Sequence, residues 1–141
     1  MVVLDREACL RRLGEHGVGR VAVTVGALPA IFPVNYVVAD GDIVFRTTAG
    51  TKLAAATRNS VVAFEVDGFD GFSHTGWSVM IVGPSREVTD PDELARAEHL
   101  PLKRWARGGG PESLVRLQGG LISGRELTQM ALEPEDGSGG D

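Results

Sequence analysis

The sequence is poor in the residue types that build metal centres and disulfide frameworks. Of its 141 residues one is a cysteine, Cys9, and three are histidines. A single cysteine excludes an internal disulfide, a cysteine-based zinc finger and a CxxC redox site. The histidines, His16, His74 and His99, are far apart and form no HExxH pattern, so the sequence contains no recognisable metal site.

Long hydrophobic runs and basic stretches are also absent. No apolar run approaches the roughly 18 residues that a membrane span needs. Asp5, Arg6 and Glu7 interrupt the region where a signal peptide carries its apolar segment. The formal net charge is −5, most of it from acids in residues 133–141, and the rest of the chain is nearly neutral. We therefore expect a cytoplasmic protein whose partners include neither nucleic acid nor a membrane.

Length and composition predict a single globular domain. A chain this long buries roughly two thirds of its unfolded surface, so it can fold without disulfides or metals. Its apolar fraction of 43% is ordinary. We expect one domain over residues 1–132. Residues 133–141 are acidic and rich in glycine, a composition typical of a disordered tail.

Nineteen glycines punctuate short runs that are rich in β-branched residues. Such runs predict strands, here at 18–25, 28–38, 42–47, 61–66, 76–88, 114–117 and 121–127. Short helices are expected before the first strand, within 50–58 and from about 90 to 99. Connections of a few residues favour antiparallel pairing. The pattern predicts a closed or nearly closed β-barrel with helices at its ends.

Two of the predicted strands contain prolines. Pro29 and Pro33 lie within the strand at 28–38. Because a proline cannot donate to a sheet ladder, this strand is expected at an edge or a bulge. The longest strand contains Gly83 and Pro84 and is expected to bend there.

The best-known glycine-rich motifs are absent or misplaced. Residues 17–22 fit GxGxxA, but the dinucleotide fingerprint needs a strand before it and a helix after it. Here a helix is expected before the motif and a strand after it. No GxxxxGK[ST] loop and no GxSxG elbow occurs. A helix-to-strand loop therefore explains Gly17 and Gly19.

Residues 45–53 combine a strand end with the start of a predicted helix. Arg46 and Lys52 supply two cations there. The hydroxyl groups between them belong to Thr47, Thr48 and Thr51. Cations, hydroxyls and free backbone N–H groups are the donors that bind a phosphate monoester. A solvated strand end followed by a capped helix explains the same residues, and composition alone leaves both interpretations open.

Trp77 also has two interpretations. It follows Gly76 within a predicted strand, where an aromatic side chain usually packs in the core. The same ring could form the wall of a pocket for a planar ligand. The sequence alone does not choose between these roles.

The order and spacing of several segments go beyond any single motif. These segments are residues 7–13, Gly19-Arg20-Val21-Ala22, Pro33-Val34-Asn35-Tyr36, residues 43–47, Gly50-Thr51-Lys52-Leu53, residues 61–67 and Gly76-Trp77-Ser78-Val79. Together they resemble the pyridoxamine 5'-phosphate oxidase-like family, the flavin-binding split β-barrels, and most of all its small actinobacterial-type members. The resemblance covers residues 4–127. It implies a mainly β (α+β) protein with a six-stranded antiparallel split β-barrel and short flanking helices.

The resemblance further implies FMN bound in grooves at the interface of a homodimer. In such proteins the flavin phosphate is held at positions that match Arg46, Thr47, Thr48, Thr51 and Lys52. The positions that border the ring and the ribityl chain match Pro33, Val34, Asn35, Tyr36, Phe64, Glu65, Trp77 and Ser78. Phe45 and Leu53 belong to the same segments and complete the implied cofactor-binding set.

The implied activity is that of an FMN-dependent oxidoreductase acting on a small molecule that the sequence does not identify. The cofactor would supply the hydride or electron transfer, so no side chain is predicted as a catalytic acid or base. The C-terminal motif that reads pyridoxine phosphate in the true oxidases has no counterpart here. Arg125 is the only obvious anion binder in that region, and vitamin B6 oxidation is therefore not expected.

Three alternatives stay open within the same resemblance. A deazaflavin coenzyme has a larger anionic tail, for which the available bases are Arg58, Lys103, Arg104 and Arg107. A haem protein would need one of the three histidines as an axial ligand. A non-catalytic flavin-binding or storage protein would hold the flavin without turnover.

Overall fold

The computed structural model describes residues 1–15, 17–102 and 111–128. Within these ranges the chain forms eight strands and three short helices. In chain order they are β1 (Val2–Leu4), α1 (Arg6–Gly14), β2 (Val18–Val25), β3 (Leu28–Ala39), β4 (Asp42–Thr48), α2 (Lys52–Ala56), β5 (Ser60–Asp70), β6 (Thr75–Glu87), α3 (Pro91–Ala97), β7 (Glu112–Leu117) and β8 (Leu121–Leu127). The positions outside the described residues include His16, Lys103, Arg104, Arg107 and the predicted tail at 133–141.

Six of the strands form a closed antiparallel barrel. Their order around the barrel is β6, β5, β2, β3, β4 and β7, and a second pairing of β7 with β6 closes the ring. Strand β8 pairs with the first part of β6, and β1 pairs with the outer edge of β8. The predicted mainly β architecture, a six-stranded antiparallel split barrel, is confirmed. Strand β1 has no counterpart among the predicted strands.

Strand β6 belongs to both parts of the sheet. Its residues 76–82 pair with β8, and its residues 85–87 pair with β7. The change of partner falls at Gly83 and Pro84, where the sequence predicts a bend. A Cβ on Gly83 would lie 2.4 Å from the backbone oxygen of Gln118, so the close approach of the two chain segments there requires glycine.

The two prolines of β3 lie where the strand has one partner. Residues 28–35 pair with β2, and residues 36–39 pair with β4. Pro29 and Pro33 therefore fall in the half of β3 that pairs with β2 alone. This placement agrees with the edge position that the prolines predict.

Each helix begins at a capping side chain. Asp5 accepts a hydrogen bond from the Ala8 amide at 2.8 Å, and Asp90 accepts one from the Glu93 amide at 2.9 Å. Helix α2 is five residues long, starts after Thr51 and lies within the region 50–58 where a helix is predicted. Among the described residues, none of these helices has the length and apolar character needed to cross a bilayer.

The side chains that point into the barrel form one continuous core. Phe45, Phe64, Ile81 and Leu117 have no exposed surface, and Leu13 from α1 joins them. Burial of such side chains contributes about 1.5–3 kcal/mol each. The alternation of apolar and polar residues along the strands thus directs one face inward and leaves the other face for binding.

A second, smaller apolar cluster lies on the outside of the barrel. Val44 of β4 and Leu114 of β7 point outward and pack against Val88 and Ala97. Helix α3 therefore covers the outer face of β4 and β7. Val44, which α3 covers, lies two positions before Arg46 on the same face of β4.

Candidate functional site

Strand alternation divides the predicted cofactor-binding residues into two sets. Successive residues of a strand face opposite sides of the sheet. The inward set is Val34, Tyr36, Phe45, Thr47 and Phe64, all at most 4% exposed. The outward set is Pro33, Asn35, Arg46, Thr48, Glu65 and Ser78. A ligand outside the barrel could reach the inward set only through its backbone, so Thr47 and Tyr36 do not present their hydroxyls beside Arg46.

The Arg46 side chain has a buried hydrogen-bond donor that no acceptor satisfies among the described residues. Its Nη1 lies 3.9 Å from Oε1 of Glu112 on the neighbouring strand, and the Arg46 side chain is 22% exposed. Its Nε is buried and has no hydrogen-bond partner among the described residues. A buried donor without an acceptor costs about 1–3 kcal/mol. An anionic ligand group would supply that acceptor.

Thr51 and Lys52 follow Arg46 at the turn between β4 and α2. The Thr51 hydroxyl donates to the Thr48 carbonyl at 2.7 Å and accepts from the Ala54 amide at 3.1 Å. Thr51 therefore caps α2 and has no free proton to donate to a ligand. Lys52 is exposed and forms no ion pair with any described residue. We call Arg46, Thr48 and Lys52 the Arg46 cluster.

Thr47 is the other side chain with an unpaired buried atom. Its Oγ1 has no hydrogen-bond partner among the described residues. The hydroxyl points into the barrel, opposite Ser113 of β7. It therefore lies on the opposite face of β4 from the Arg46 cluster.

The predicted residue Glu65 belongs to a charged cluster near Pro33 and Ser78, whose other members, Arg20 and Asp67, the sequence analysis did not assign to the site. Arg20 Nη2 donates to Glu65 Oε1 at 2.8 Å and to Asp67 Oδ2 at 2.8 Å. Arg20 is the direct cross-strand partner of Pro33, and Asp67 is that of Ser78. Arg20 and Glu65 are 45 residues apart in sequence, so only the register of β2 against β5 brings them together.

The two carboxyl groups of this cluster titrate differently. Burial, assisted by the nearby Asp67, raises the pKa of Glu65. A hydrogen bond with Glu65, assisted by Arg20, lowers the pKa of Asp67. Glu65 is therefore the member of the pair that holds a proton more readily, on the same face as the predicted ring-bordering residues.

Trp77 both packs in the core and lines a groove. Its indole contacts the main core cluster, and a Cβ on Gly68 would lie 2.7 Å from its Nε1. The Arg12 guanidinium lies 5.2 Å from the centre of the indole ring and pairs with Glu126. The groove beside the ring has a volume of about 530 Å³ and includes Thr75. Trp77 therefore packs against the core and also borders an open groove, and its role as the wall of a ligand pocket stays a prediction.

In a single chain, the predicted phosphate-binding residue Arg46 and the predicted ring-bordering residue Ser78 lie on strands that are not neighbours. Arg46 lies on β4 and Ser78 on β6, with β3, β2 and β5 between them in one direction. In the other direction β7 meets β6 only at residues 85–87. Ser78 lies about 23 Å from Ser85 along an extended strand. The Arg46 cluster and the Trp77–Ser78 end are therefore on separate parts of the barrel.

The outer face of the sheet carries an apolar row across five strands. Its members oppose one another directly in the sheet register, and we call them the outer row: Ile31, Ala22, Ala63, Val82 and Leu121. Ile31 is 67% exposed and Leu121 is 77% exposed. The row runs beside the Arg20–Glu65–Asp67 cluster. Exposed apolar surface of this kind is typical of a protein–protein contact.

The described part of the chain offers few candidate ligands for a metal ion or for the iron of a haem. Among residues 1–15, 17–102 and 111–128, no three His, Cys, Asp or Glu side chains are grouped to hold a metal ion. His74 and His99 are both exposed. Arg58 is also exposed, with Nε 3.9 Å from Glu87 Oε1.

One family model and one related protein match nearly the whole chain. The sequence model of the family described as pyridoxamine 5'-phosphate oxidase matches residues 5–139. The uncharacterized protein Rv0080 of Mycobacterium tuberculosis is 39% identical over 139 residues, which are 95% of this chain and 90% of that protein.

Two solved structures match over most of the chain. The FAD binding protein from Mycobacterium smegmatis has a TM-score of 0.80 and 35% identity, covering 91% of this chain and 99% of that chain. A conserved protein of unknown function from Corynebacterium diphtheriae has a TM-score of 0.75 and 34% identity, covering 90% of this chain and 97% of that one.

Proposed function

This chain belongs to the pyridoxamine 5'-phosphate oxidase family, and from that premise we propose that it binds a flavin nucleotide and acts as an oxidoreductase. The observation that carries the proposal is the buried Nε of Arg46, which lacks an acceptor among the described residues. A flavin phosphate is an anion of the kind that this donor needs. The 35% identical FAD binding protein from Mycobacterium smegmatis supports a flavin as the ligand.

Arg46 and Lys52 hold the phosphate end of the flavin in this proposal. Arg46 lies near the end of β4 and Lys52 begins α2; Arg46 has only a long contact, 3.9 Å, with the Glu112 carboxylate. Thr48 lies on the same face of β4 as Arg46 and can add a hydroxyl. Two cations and a hydroxyl match the charge and the acceptor oxygens of a phosphate monoester.

The outer faces of β3, β5 and β6 border the flavin ring in this proposal. Asn35, Glu65 and Ser78 point outward there, and Pro33 offers its backbone carbonyl. When bound, the flavin supplies hydride or electron transfer. The side chains around it orient the ring and set the polarity of its surroundings. Burial raises the pKa of Glu65, so of the two carboxyls on this face it takes up a proton first as the pH falls.

We propose that a second copy of the chain completes the site. The Arg46 cluster and the Trp77–Ser78 end lie on different strands of one chain, β4 and β6, which are not neighbours in the barrel. The exposed outer row supplies an apolar surface for the contact. A homodimer built on this face would place the two ends from different protomers together. The cytoplasmic location stays a prediction from the sequence.

FMN is the flavin that the resemblance predicts, and its phosphate end suits the Arg46 cluster. The first experiment is to purify the full chain and record its visible absorption spectrum, followed by release and identification of any chromophore. A flavin spectrum is expected. Release of a deazaflavin would identify that coenzyme as the cofactor instead, and a Soret band would identify haem. A colourless protein that also fails to bind added FMN and FAD would contradict the proposal.

Substitution of Lys52 tests the phosphate assignment. Lys52→Ala removes one charge-assisted contact, so the dissociation constant for FMN should rise by about 10-fold to 100-fold, equivalent to about 1.5–3 kcal/mol. Arg46→Gln should have at least as large an effect, because Arg46 is the more buried cation. Arg11→Ala changes an exposed arginine on α1 and is the control. Unchanged flavin affinity in both site variants would show that the flavin phosphate does not bind at Arg46 and Lys52.

A further inference from the structure

A cavity with apolar walls lies between α3 and the outer face of β4 and β7. Its volume is about 220 Å³, and its apolar lining includes Val44, Val88, Ala97, Leu100 and Leu114. Sites for drug-sized ligands have roughly 300–1,000 Å³. This cavity is smaller, so it suits a group of the size of one large apolar side chain.

The cavity is separate from the surfaces that the proposed flavin site uses. The described residues that line it include no member of the Arg46 cluster and no member of the outer row. A ligand in this cavity is therefore distinct from the flavin, and its chemistry follows from the cavity's own lining.

Two of the four charged residues in the lining, Glu93 and Arg116, are held in ion pairs. Arg116 Nε donates to Glu93 Oε2 at 2.9 Å, and Arg86 Nη2 donates to the same oxygen at 2.9 Å. Arg116 Nη1 donates to Asp42 Oδ2 at 2.8 Å. The two guanidinium groups balance the two carboxylates, so this part of the lining carries no net charge to offer a ligand.

The other two charged residues in the lining, Asp40 and Arg96, have no such partners. Asp40 lies in the turn between β3 and β4, and Arg96 lies in the last turn of α3. Both are exposed, and neither forms an ion pair or a side-chain hydrogen bond with a described residue. The cavity thus combines apolar walls with one available carboxylate and one available guanidinium group.

We propose that this cavity binds an apolar α-amino acid. The side chain of the ligand packs between α3 and the sheet, its carboxylate pairs with Arg96, and its ammonium group pairs with Asp40. Both pairs are charge-assisted contacts. The site is additional to the proposed flavin site and does not depend on it.

The balance of charge selects an amino acid over a simple acid or amine. The lining and its ion-pair partners contain three carboxylates and three guanidinium groups. A ligand without net charge keeps this balance and pairs with both available groups. An acid leaves Asp40 without a partner, and an amine leaves Arg96 without one, so each loses one contact.

The test titrates the full chain, as purified, with three compounds of similar size. L-Phenylalanine carries both charged groups, hydrocinnamate lacks the ammonium group, and phenethylamine lacks the carboxylate. Two-dimensional NMR of the isotope-labelled protein measures the affinities and shows which amides respond. L-Phenylalanine should bind at least about tenfold more tightly than either analogue, because each analogue loses a charge-assisted contact. The amide signals of Ala97 and Leu114 should shift.

Exposed variants assign the two charged contacts. Asp40→Asn should weaken L-phenylalanine binding at least about tenfold and leave hydrocinnamate binding unchanged. Asparagine tolerates the positive φ of residue 40, which is 54°. Arg96→Gln should weaken L-phenylalanine to the same degree and leave phenethylamine binding unchanged. The matched controls are Asp92→Asn and Arg11→Gln, which change exposed helix residues outside the lining.

A cavity-filling variant tests the apolar contact. Ala97→Met should abolish L-phenylalanine binding, and Ala95→Met, at an exposed position of the same helix, should leave it unchanged. Should Ala97→Met fail to fold, the two exposed variants decide.

Three results would overturn the inference. They are no binding of L-phenylalanine at millimolar concentration, equal affinity for the three compounds, and unchanged binding in both Asp40→Asn and Arg96→Gln. None of them affects the proposed flavin binding, which the absorption spectrum tests separately.

Discussion

At the scale of single residues, Gly19 lies where the barrel interior leaves no space for a side chain. A Cβ there would lie 2.3 Å from Cζ and 2.8 Å from Cε1 of Phe64, whose ring is fully buried. Gly19→Ala should therefore lower the free energy of unfolding by about 1–3 kcal/mol, because the core has to shift. Urea unfolding measures this loss. Packing therefore explains why residue 19 is a glycine.

Gly17 provides the matched control for Gly19. It belongs to the same pattern, but a Cβ on Gly17 would meet nothing within 4 Å. Gly17→Ala should change the free energy of unfolding by no more than about 0.5 kcal/mol. Equal losses in the two variants would contradict the packing explanation.

Tyr36 is the chain's only tyrosine, so its ionisation can be followed without interference. Its hydroxyl donates to the Leu13 carbonyl, and its ring lies edge-on to Phe64 with centroids 4.9 Å apart. Burial raises the pKa of Tyr36 well above its usual value. The native state thus keeps this proton more tightly than the unfolded chain does. Its stabilising effect is complete below about pH 10 and is lost as the pH rises further.

We expect the phenolate absorbance of Tyr36 to appear only when the protein unfolds in alkali. Absorbance and circular dichroism recorded on the same samples test this. Tyr36→Phe should give no phenolate signal. It should also lose about 1–2 kcal/mol of stability, because the Leu13 carbonyl is left without its donor. A phenolate signal near pH 10 in a folded sample would place the hydroxyl in contact with solvent instead.

At the scale of elements, an ion-pair network attaches α3 to the barrel through Glu93. Arg86 on β6 and Arg116 on β7 both donate to its carboxylate. The hydrogen bond from Arg86, followed by the two positive charges, lowers the pKa of Glu93. The folded pKa is below the unfolded one, so the stabilisation is present above about pH 4.3 and is lost as the pH falls through the folded value.

Glu93→Gln should therefore destabilise the protein by about 1–3 kcal/mol at neutral pH. The difference from wild type should disappear once Glu93 is protonated in wild type as well. Urea unfolding at several pH values measures both effects. Asp92→Asn on the same helix changes an exposed carboxylate and should have a smaller effect. A loss that is independent of pH would assign it to packing and not to charge.

A helix or strand can be predicted from the sequence when the residues that determine it lie close together in the chain. The β-branched run of β2 and the capping residues Asp5 and Asp90 act within a few residues, so the sequence reveals them. Strand β1 is three residues long and is defined by its pairing with β8, more than a hundred residues later. Closure of the barrel depends on the second pairing of β7 with β6. No local pattern contains that register.

The candidate site was predictable in its residue types but not in its geometry. The cations Arg46 and Lys52 stand out in the sequence because they flank three hydroxyls. The alternation of strand faces separates Thr47 from Arg46, and the capping of α2 occupies the Thr51 hydroxyl. The Arg20 cluster joins strands that are distant in sequence and has no local signature. Strand register and competition for hydrogen bonds, and not residue type, determine which side chains lie together and which hydroxyls are available to a ligand.

At the scale of the whole molecule, the proposed dimer would join the two ends of the site through the outer row. The Arg46 cluster lies on β4 and Ser78 lies on β6, and three strands separate them around the barrel. The outer row crosses those intervening strands. A copy of the chain docked on this face would bury apolar surface and bring the opposite end of its own site nearby. Association and flavin binding should therefore be lost together.

Ile31→Asp tests this coupling by placing a charge in the outer row, where Ile31 is 67% exposed. An unpaired charge in an apolar contact is costly to desolvate, so the variant should be a monomer by sedimentation and should bind flavin at least about tenfold more weakly. Leu28→Asp changes a residue that is 71% exposed at the β2–β3 turn and off the outer row, and it should stay dimeric with flavin affinity unchanged. A monomeric Ile31→Asp with full flavin affinity would show that one chain suffices for the site. A monomeric wild type that binds flavin would show that flavin binding does not require a dimer.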